Sequence, residues 1–291
     1  MAHGSRVCPH CGRLNAVEDR VCFSCGKRFH GPLEASAGAM LGNLSAEAFP
    51  ATKLLVLLCV LVYGACMWSD GGFTFSVAVS GAFRPSTLLR FGVLYGDLAW
   101  SEPWRLLSAV FMHLGLLHIG MNMLSLVNLG RTLEPHFGSA RFLILYVATG
   151  ILGFAASQWW YGESPVTAGA SGAIFGLIGA FVGVLWARRN PNWKRTLVNY
   201  LAYAVLLSFM LPVNTAAHIG GFAAGIVVGA LFEKEPRPEK REGVMRGVAG
   251  FCLLACIGSV VLSARSPVWK EQRQAEVARA ERAERLRLNS E

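Results

Sequence analysis

The sequence predicts an all-α polytopic membrane protein preceded by a small cysteine module. Three observations carry that expectation. Of the 291 residues, 53% are hydrophobic and only 15% are charged, against about 25% charged in a typical soluble domain. The charges cluster between long apolar runs, the pattern of a chain that crosses a bilayer repeatedly. Residues 1–30 hold two Cys-x-x-Cys pairs and no comparable apolar run.

Residues 1–30 read as a zinc ribbon. Cys8-Pro9-His10-Cys11-Gly12 and Cys22-Phe23-Ser24-Cys25-Gly26 each place two thiols around a two-residue spacer, followed by glycine. Such knuckles suit tetrahedral thiolate binding of Zn²⁺. The glycine relaxes the tight turn. The alternatives are two disulfides or unused thiols, and a reducing compartment favours the metal. Cys8, Cys11, Cys22 and Cys25 are the expected ligands, and the spacer between the knuckles is expected to form a short hairpin. So short a segment buries little core, so the ion would supply the folding energy.

Residues 31–50 are rich in Gly, Ala, Ser and Pro and read as a linker. Residues 51–264 form the membrane domain. Seven spans are expected, at 51–69, 106–129, 142–160, 165–187, 197–212, 214–232 and 247–264. The first is expected to act as an uncleaved signal anchor. Residues 265–291 alternate Glu and Arg with Ala, as in Glu276 to Arg285, and predict a solvated charged helix.

The formal charge of +9 reports topology rather than nucleic-acid binding. With the N-terminus inside, most basic residues before the tail fall in cytoplasmic segments, and only Arg84, Arg90 and Arg105 lie in outer loops. The tail then puts further basic residues outside, against the rule. In the first 30 residues the basic surplus is too small to argue for nucleic acid. A cytoplasmic protein partner is the alternative role for that module.

The chemistry lies in the spans. A histidine inside a bilayer is costly and marks a functional site by default. His218 lies near the start of the sixth span and Ser171 near the start of the fourth. Both spans run inward, so Ser171 lies roughly 9 Å and His218 roughly 6 Å below the outer surface at 1.5 Å per residue. A serine beside a histidine is the minimal nucleophile and base for acyl transfer. Gly172, Gly176, Gly179 and Gly183 on one span and Gly221, Gly225 and Gly229 on the other let the two backbones approach. His118 and Asn122, at i and i+4 on the second span, share a face and offer hydrogen-bond donors for an oxyanion. The Ser171 N–H is a third donor. His113 is expected to have a structural or rim role. Gly169-Ala170-Ser171-Gly172 is not the soluble hydrolase elbow, because residue 173 is alanine, and no Asp in the late spans completes a triad.

These stretches resemble the rhomboid family of intramembrane serine proteases. The matching residues are Glu102-Pro103-Trp104-Arg105, His113 with His118 to Asn122, Leu133-Glu134, Gly169 to Gly176, and Ala216 to Gly221, in the family's order. The resemblance implies a six-helix core with a seventh C-terminal span. It also implies Ser171 as nucleophile, His218 as base, and His118 and Asn122 as oxyanion ligands, with no cofactor for catalysis. Trp104-Arg105 and Glu134 match structural positions. Phe175 stands where a tyrosine is often found stacked on the base histidine. The expected substrates are membrane-anchored proteins cut in or near their transmembrane segments. The expected location is a bacterial inner membrane, with the site opening to the outer side. A catalytically silent rhomboid-like protein that binds membrane helices is the alternative. A transporter is disfavoured because no carboxylates lie near the middle of the late spans, and zinc-dependent proteolysis because no His-Glu-x-x-His occurs.

Overall fold

The computed structural model describes residues 5–7, 14–16, 21–22, 26, 49–72, 74–210, 214–236 and 238–288. The chain divides into two compact units, residues 1–48 and 49–291.

In the first unit, β1 (Ser5–Val7) pairs antiparallel with β2 (Leu14–Ala16), Val7 opposite Leu14. The paired residues flank the first Cys-x-x-Cys stretch; the spacer between the two stretches, expected to form a hairpin, lies partly outside the described residues, at 17–20. A ladder closing at residues 7 and 14 leaves the six residues 8–13 as its connection.

The second unit is helical. It comprises α1 (Pro50–Ser69), α2 (Phe75–Ser80), α3 (Pro85–Arg90), α4 (Leu98–Ser101), α5 (Arg105–Ser108), α6 (Leu116–Phe137), α7 (Ser139–Tyr161), α8 (Ser171–Ala187), α9 (Trp193–Met210), α10 (Thr215–Glu233), α11 (Pro238–Arg265) and α12 (Val268–Leu288). The all-α expectation is modified by a second small ladder. In it, β3 (Leu94–Gly96) pairs with β4 (Ser164–Thr167).

Among the described residues, four helical stretches are long and apolar enough to cross a membrane, and five if the bent pair α5–α6 counts as one. Two of the seven expected spans are interrupted. The second breaks after the 3₁₀ turn Ala109–Phe111 and resumes at Leu116 after a 94° bend. Gly115, at φ 93°, takes the left-handed conformation that the reversal needs. The fourth does not begin at 165: Ser164–Thr167 is a strand, and the helix starts at Ser171 itself.

α7 is the most enclosed of the spanning candidates, 56% buried, with Phe142, Leu145, Tyr146 and Phe154 in the core. Glu134, near the end of α6, accepts the N–H groups of Ala51 (2.9 Å) and Thr52 (2.8 Å) and the hydroxyls of Thr52 (2.6 Å) and Ser139 (2.7 Å). It thereby satisfies orphan donors at the start of α1 and carries a negative charge at a positive helix end.

The charged tail is helical as expected, but it is not purely solvated. The Glu276 carboxylate accepts the Ser86 N–H (2.9 Å) and hydroxyl (2.7 Å), which docks α12 on α3.

Candidate active site

The short helix α8 sets the site. Its 17 residues span about 25 Å, against a hydrocarbon core of about 30 Å. The missing length lies at its Ser171 end, where the chain arrives as β4 and a non-helical turn. That turn is held from α5–α6. Gly169 N–H donates to the Ala109 carbonyl (2.9 Å), and Ala170 N–H points to His113 Nε2 (3.5 Å). His113 is fully buried, with Nδ1 facing the Phe111 carbonyl (3.2 Å). Of the two roles expected for His113, the structural one is observed and the rim one is not.

α10 brings the histidine. Its N-cap, Asn214, accepts the Ala217 N–H (3.0 Å) on Oδ1. Its Nδ2 donates to Ser157 Oγ of α7 (2.7 Å) and Thr167 Oγ1 of β4 (2.8 Å). One side chain thus ties the start of the histidine helix to the strand that leads into Ser171. The sequence reading missed this residue, although an Asn just before an apolar run is an N-cap signal.

α8 and α10 then pack backbone to backbone. A Cβ added at Gly221 would overlap the Gly172 carbonyl, and one at Gly225 the Gly176 carbonyl. Only hydrogen at these positions permits the approach. The result is a contact of 2.8 Å between His218 Nε2 and Ser171 Oγ. Phe175 stacks on the His218 ring at 4.3 Å between centroids and 17° between planes. Phe175 and the His218 backbone position therefore fix the imidazole plane. His218 is 6% exposed, and Ser171 is partly buried.

His118 faces the same turn. Its Nδ1 accepts the Leu114 N–H (3.1 Å), so a neutral ring carries its proton on Nε2. That nitrogen lies against Gly169, where an added Cβ would sit 2.7 Å from it. Gly169 adopts φ 121°, which L side chains avoid. Asn122 is buried and donates one amide hydrogen to the His118 carbonyl (2.8 Å). An amide carries two such donors, so one remains beyond this bond.

Glu102 and Arg105 form a buried ion pair at the start of α5. The Arg105 guanidinium, fully buried, donates to Glu102 (2.5 Å) and to the Leu89 (2.7 Å) and Val93 (3.2 Å) carbonyls.

Of the four cysteines expected to bind zinc, Cys8, Cys11 and Cys25 lie outside the described residues. Cys22 is buried, and the Gly26 N–H donates to its carbonyl (2.9 Å), with Gly26 at φ 70°. Among the described residues no group of three or more His, Cys, Asp or Glu side chains is gathered for a metal.

Residues 101–235 match the Rhomboid domain family. The chain is 36% identical over 155 residues to the Bacillus subtilis protein named rhomboid protease GluP, covering 52% of this chain and 30% of that one. It is 33% identical over 138 residues to the putative rhomboid protease YdcA of the same organism, covering 46% of this chain and 69% of that one. It is 30% identical over 152 residues to rhomboid-type serine protease 2 of Emericella nidulans, covering 50% of this chain and 30% of that one. This chain belongs to the rhomboid family and is an integral membrane protein. It spans about a third of the length of the curated relative it matches over 155 residues.

Proposed function

We propose that the protein is an intramembrane serine endopeptidase working through a Ser171–His218 dyad. The observation that carries this reading is the 2.8 Å contact between the hydroxyl and the imidazole, at the start of a helix too short for the membrane. Ser171 Oγ attacks the scissile carbonyl carbon, and its proton passes to His218 Nε2. The C–N bond then breaks as His218 returns that proton to the leaving amine. Water, deprotonated by His218, hydrolyses the acyl ester and regenerates the serine.

In this reading three donors meet the charge on the oxyanion. They are His118 Nε2–H, the remaining Asn122 amide hydrogen, and the Ser171 N–H, which as a first-turn group lacks a helical partner. The substrate is a membrane-anchored protein whose helix must unwind to enter. In this reading the N-terminus is cytoplasmic and the site opens on the other side of a bacterial inner membrane, on the strength of the basic-residue distribution.

The test uses a reporter with a transmembrane segment, reconstituted with wild type, Ser171→Ala and His218→Ala proteins. Both variants should lose cleavage by at least about 10³-fold. A serine-reactive phosphonate should label wild type and spare Ser171→Ala. Retained cleavage by either variant removes the dyad. Absence of labelling and cleavage in folded wild type would favour the silent helix-binding alternative.

In the same reading Cys8, Cys11, Cys22 and Cys25 hold one structural Zn²⁺ as thiolates, and the module serves a cytoplasmic partner. Purified full-length protein should carry about one zinc per chain under reducing conditions, as four-thiolate sites do, and Cys22→Ser should lose it. Zinc-free wild type would sink the assignment.

A further inference from the structure

A cavity of about 210 Å³ lies where the end of α1, the helix α3 and the start of α12 meet. It sits at the same end of the bundle as the Ser171–His218 pair. The start of α1 is bonded to Glu134 at the far end of α6, so the other end of α1 lies beside the His118 end of α6, with Tyr63, Cys66 and Met67 packed near Ile119. Neither the site chemistry nor the helix packing accounts for this cavity.

Three arginines from two stretches of chain line it: Arg84 and Arg90 at either end of α3, and Arg273 on α12. Arg84 is engaged with Asp70 (3.1 Å) and the Ser69 carbonyl (3.1 Å). Arg273 approaches Glu276 (3.5 Å). Arg90 donates to Ser69 Oγ (3.2 Å) and lies 5.0 Å over the Trp269 ring. Among the described residues no carboxylate pairs with Arg90. Asp70 and Glu276 are not among the groups lining the cavity. The three guanidinium groups thus exceed their two carboxylates by one charge. Each guanidinium has five N–H donors in a planar fork that matches phosphate oxygens.

The surroundings are those of a membrane interface. Trp68 is 77% and Phe75 is 82% exposed, at the end of α1 and in the segment that follows it, and Trp269 forms part of the cavity wall. Exposed aromatic side chains at the ends of spans sit at headgroup level, and basic pockets between helices there take lipid headgroups. Arg273 belongs to the basic tail, whose place on that side is unexpected from charge alone.

We propose that this cavity binds the phosphodiester of an anionic phospholipid headgroup, whose single negative charge matches the surplus arginine. A choline or ethanolamine headgroup would bring a second cation among the arginines. The proposal is independent of the proteolytic reading, because its test reads lipid rather than cleavage.

Full-length protein in mild detergent is titrated with phosphatidylglycerol, with phosphatidylcholine and with inorganic phosphate, and bound species are counted by native mass spectrometry. Phosphatidylglycerol should bind about tenfold tighter than phosphatidylcholine, and Arg90→Gln and Arg273→Gln should each weaken it about tenfold, the loss of one charge-assisted contact. Arg285→Gln, farther along the tail, should leave binding unchanged. Arg273 lies on the surface helix α12 at 43% exposure, so its variant keeps the test open if Arg90→Gln does not fold. Equal binding of the two lipids, or equal losses at Arg285 and Arg273, would overturn the proposal. So would displacement of the lipid by millimolar inorganic phosphate, which would assign the cavity to a soluble anion.

Discussion

The two ends of the 49–291 unit are held together by different means. At the end bearing Ser171 and His218, helices stop short, and β3 and β4 replace helical backbone. At the Ser171 turn itself the bonds join neutral groups, Asn214 to Ser157 and Thr167 and Gly169 to Ala109, while Arg84–Asp70 and Arg105–Glu102 add ion pairs around α3. At the opposite end the helices run to completion and are joined by charges. Arg141 bonds Glu235 and Glu242 at 2.8 Å each, and His136 and Arg188 share Glu233 at 2.8 and 2.6 Å. Irregular backbone at membrane depth survives only when protein groups satisfy it, so the site end needs a closed hydrogen-bond set in fixed positions. The ion pairs at the other end range from the buried Arg141–Glu235 pair to Arg188–Glu233, whose arginine is exposed; a pair of the exposed kind is worth about 0–1 kcal/mol. The contrast lies in the backbone: it is irregular and satisfied by neutral groups at the Ser171 turn, and helical to the last turn where Arg141 pairs with Glu235 and Arg188 with Glu233.

The sharpest way to break this contrast is to push α8 and α10 apart. Gly225→Leu places a side chain where the Gly176 carbonyl lies. Cleavage should vanish, and thermal unfolding should report a loss of about 1–3 kcal/mol or more. Gly243→Ala, which meets open space on α11, should change neither. Next in size, His118→Ala should lower kcat roughly 10²–10³-fold by removing one oxyanion donor. The unfolding midpoint is measured alongside, so that a folding defect is separated from a catalytic one.

At the opposite end the effects should fall on stability alone. Glu134→Gln weakens a charged acceptor serving four donors and should cost on the order of 1.5–3 kcal/mol in denaturation, with cleavage per folded molecule unchanged. Arg188→Ala, at 55% exposure, should cost at most about 1 kcal/mol and leave cleavage intact. A large fall in kcat from either substitution would erase the distinction between the ends.

Apolar runs made the helices legible. So did the spacing of Gly221, Gly225 and Gly229, because a stripe of small residues has few uses other than close approach. Ser171, His218 and His118 were legible because polar groups in apolar runs carry a cost. The interruptions were not. Met112 to Gly115 and Ser164 to Ala170 sit beside long apolar stretches, and average hydropathy passes over a break of a few residues. The bend at Gly115 depends on a left-handed backbone that a single glycine does not announce. Asn214 was visible as a capping residue, but its bonds to Ser157 and Thr167 join positions 57 and 47 residues away.

The order of apolar runs, the glycine stripes and the rare polar residues within them belong to the sequence, because lipid and close packing act on residue type and period. The tertiary structure alone decided where α8 begins, which nitrogen of His118 faces the turn, and that Glu276 meets Ser86 across 190 residues. Those outcomes depend on which distant groups complete one another's hydrogen bonds, and local pattern holds no record of such pairings.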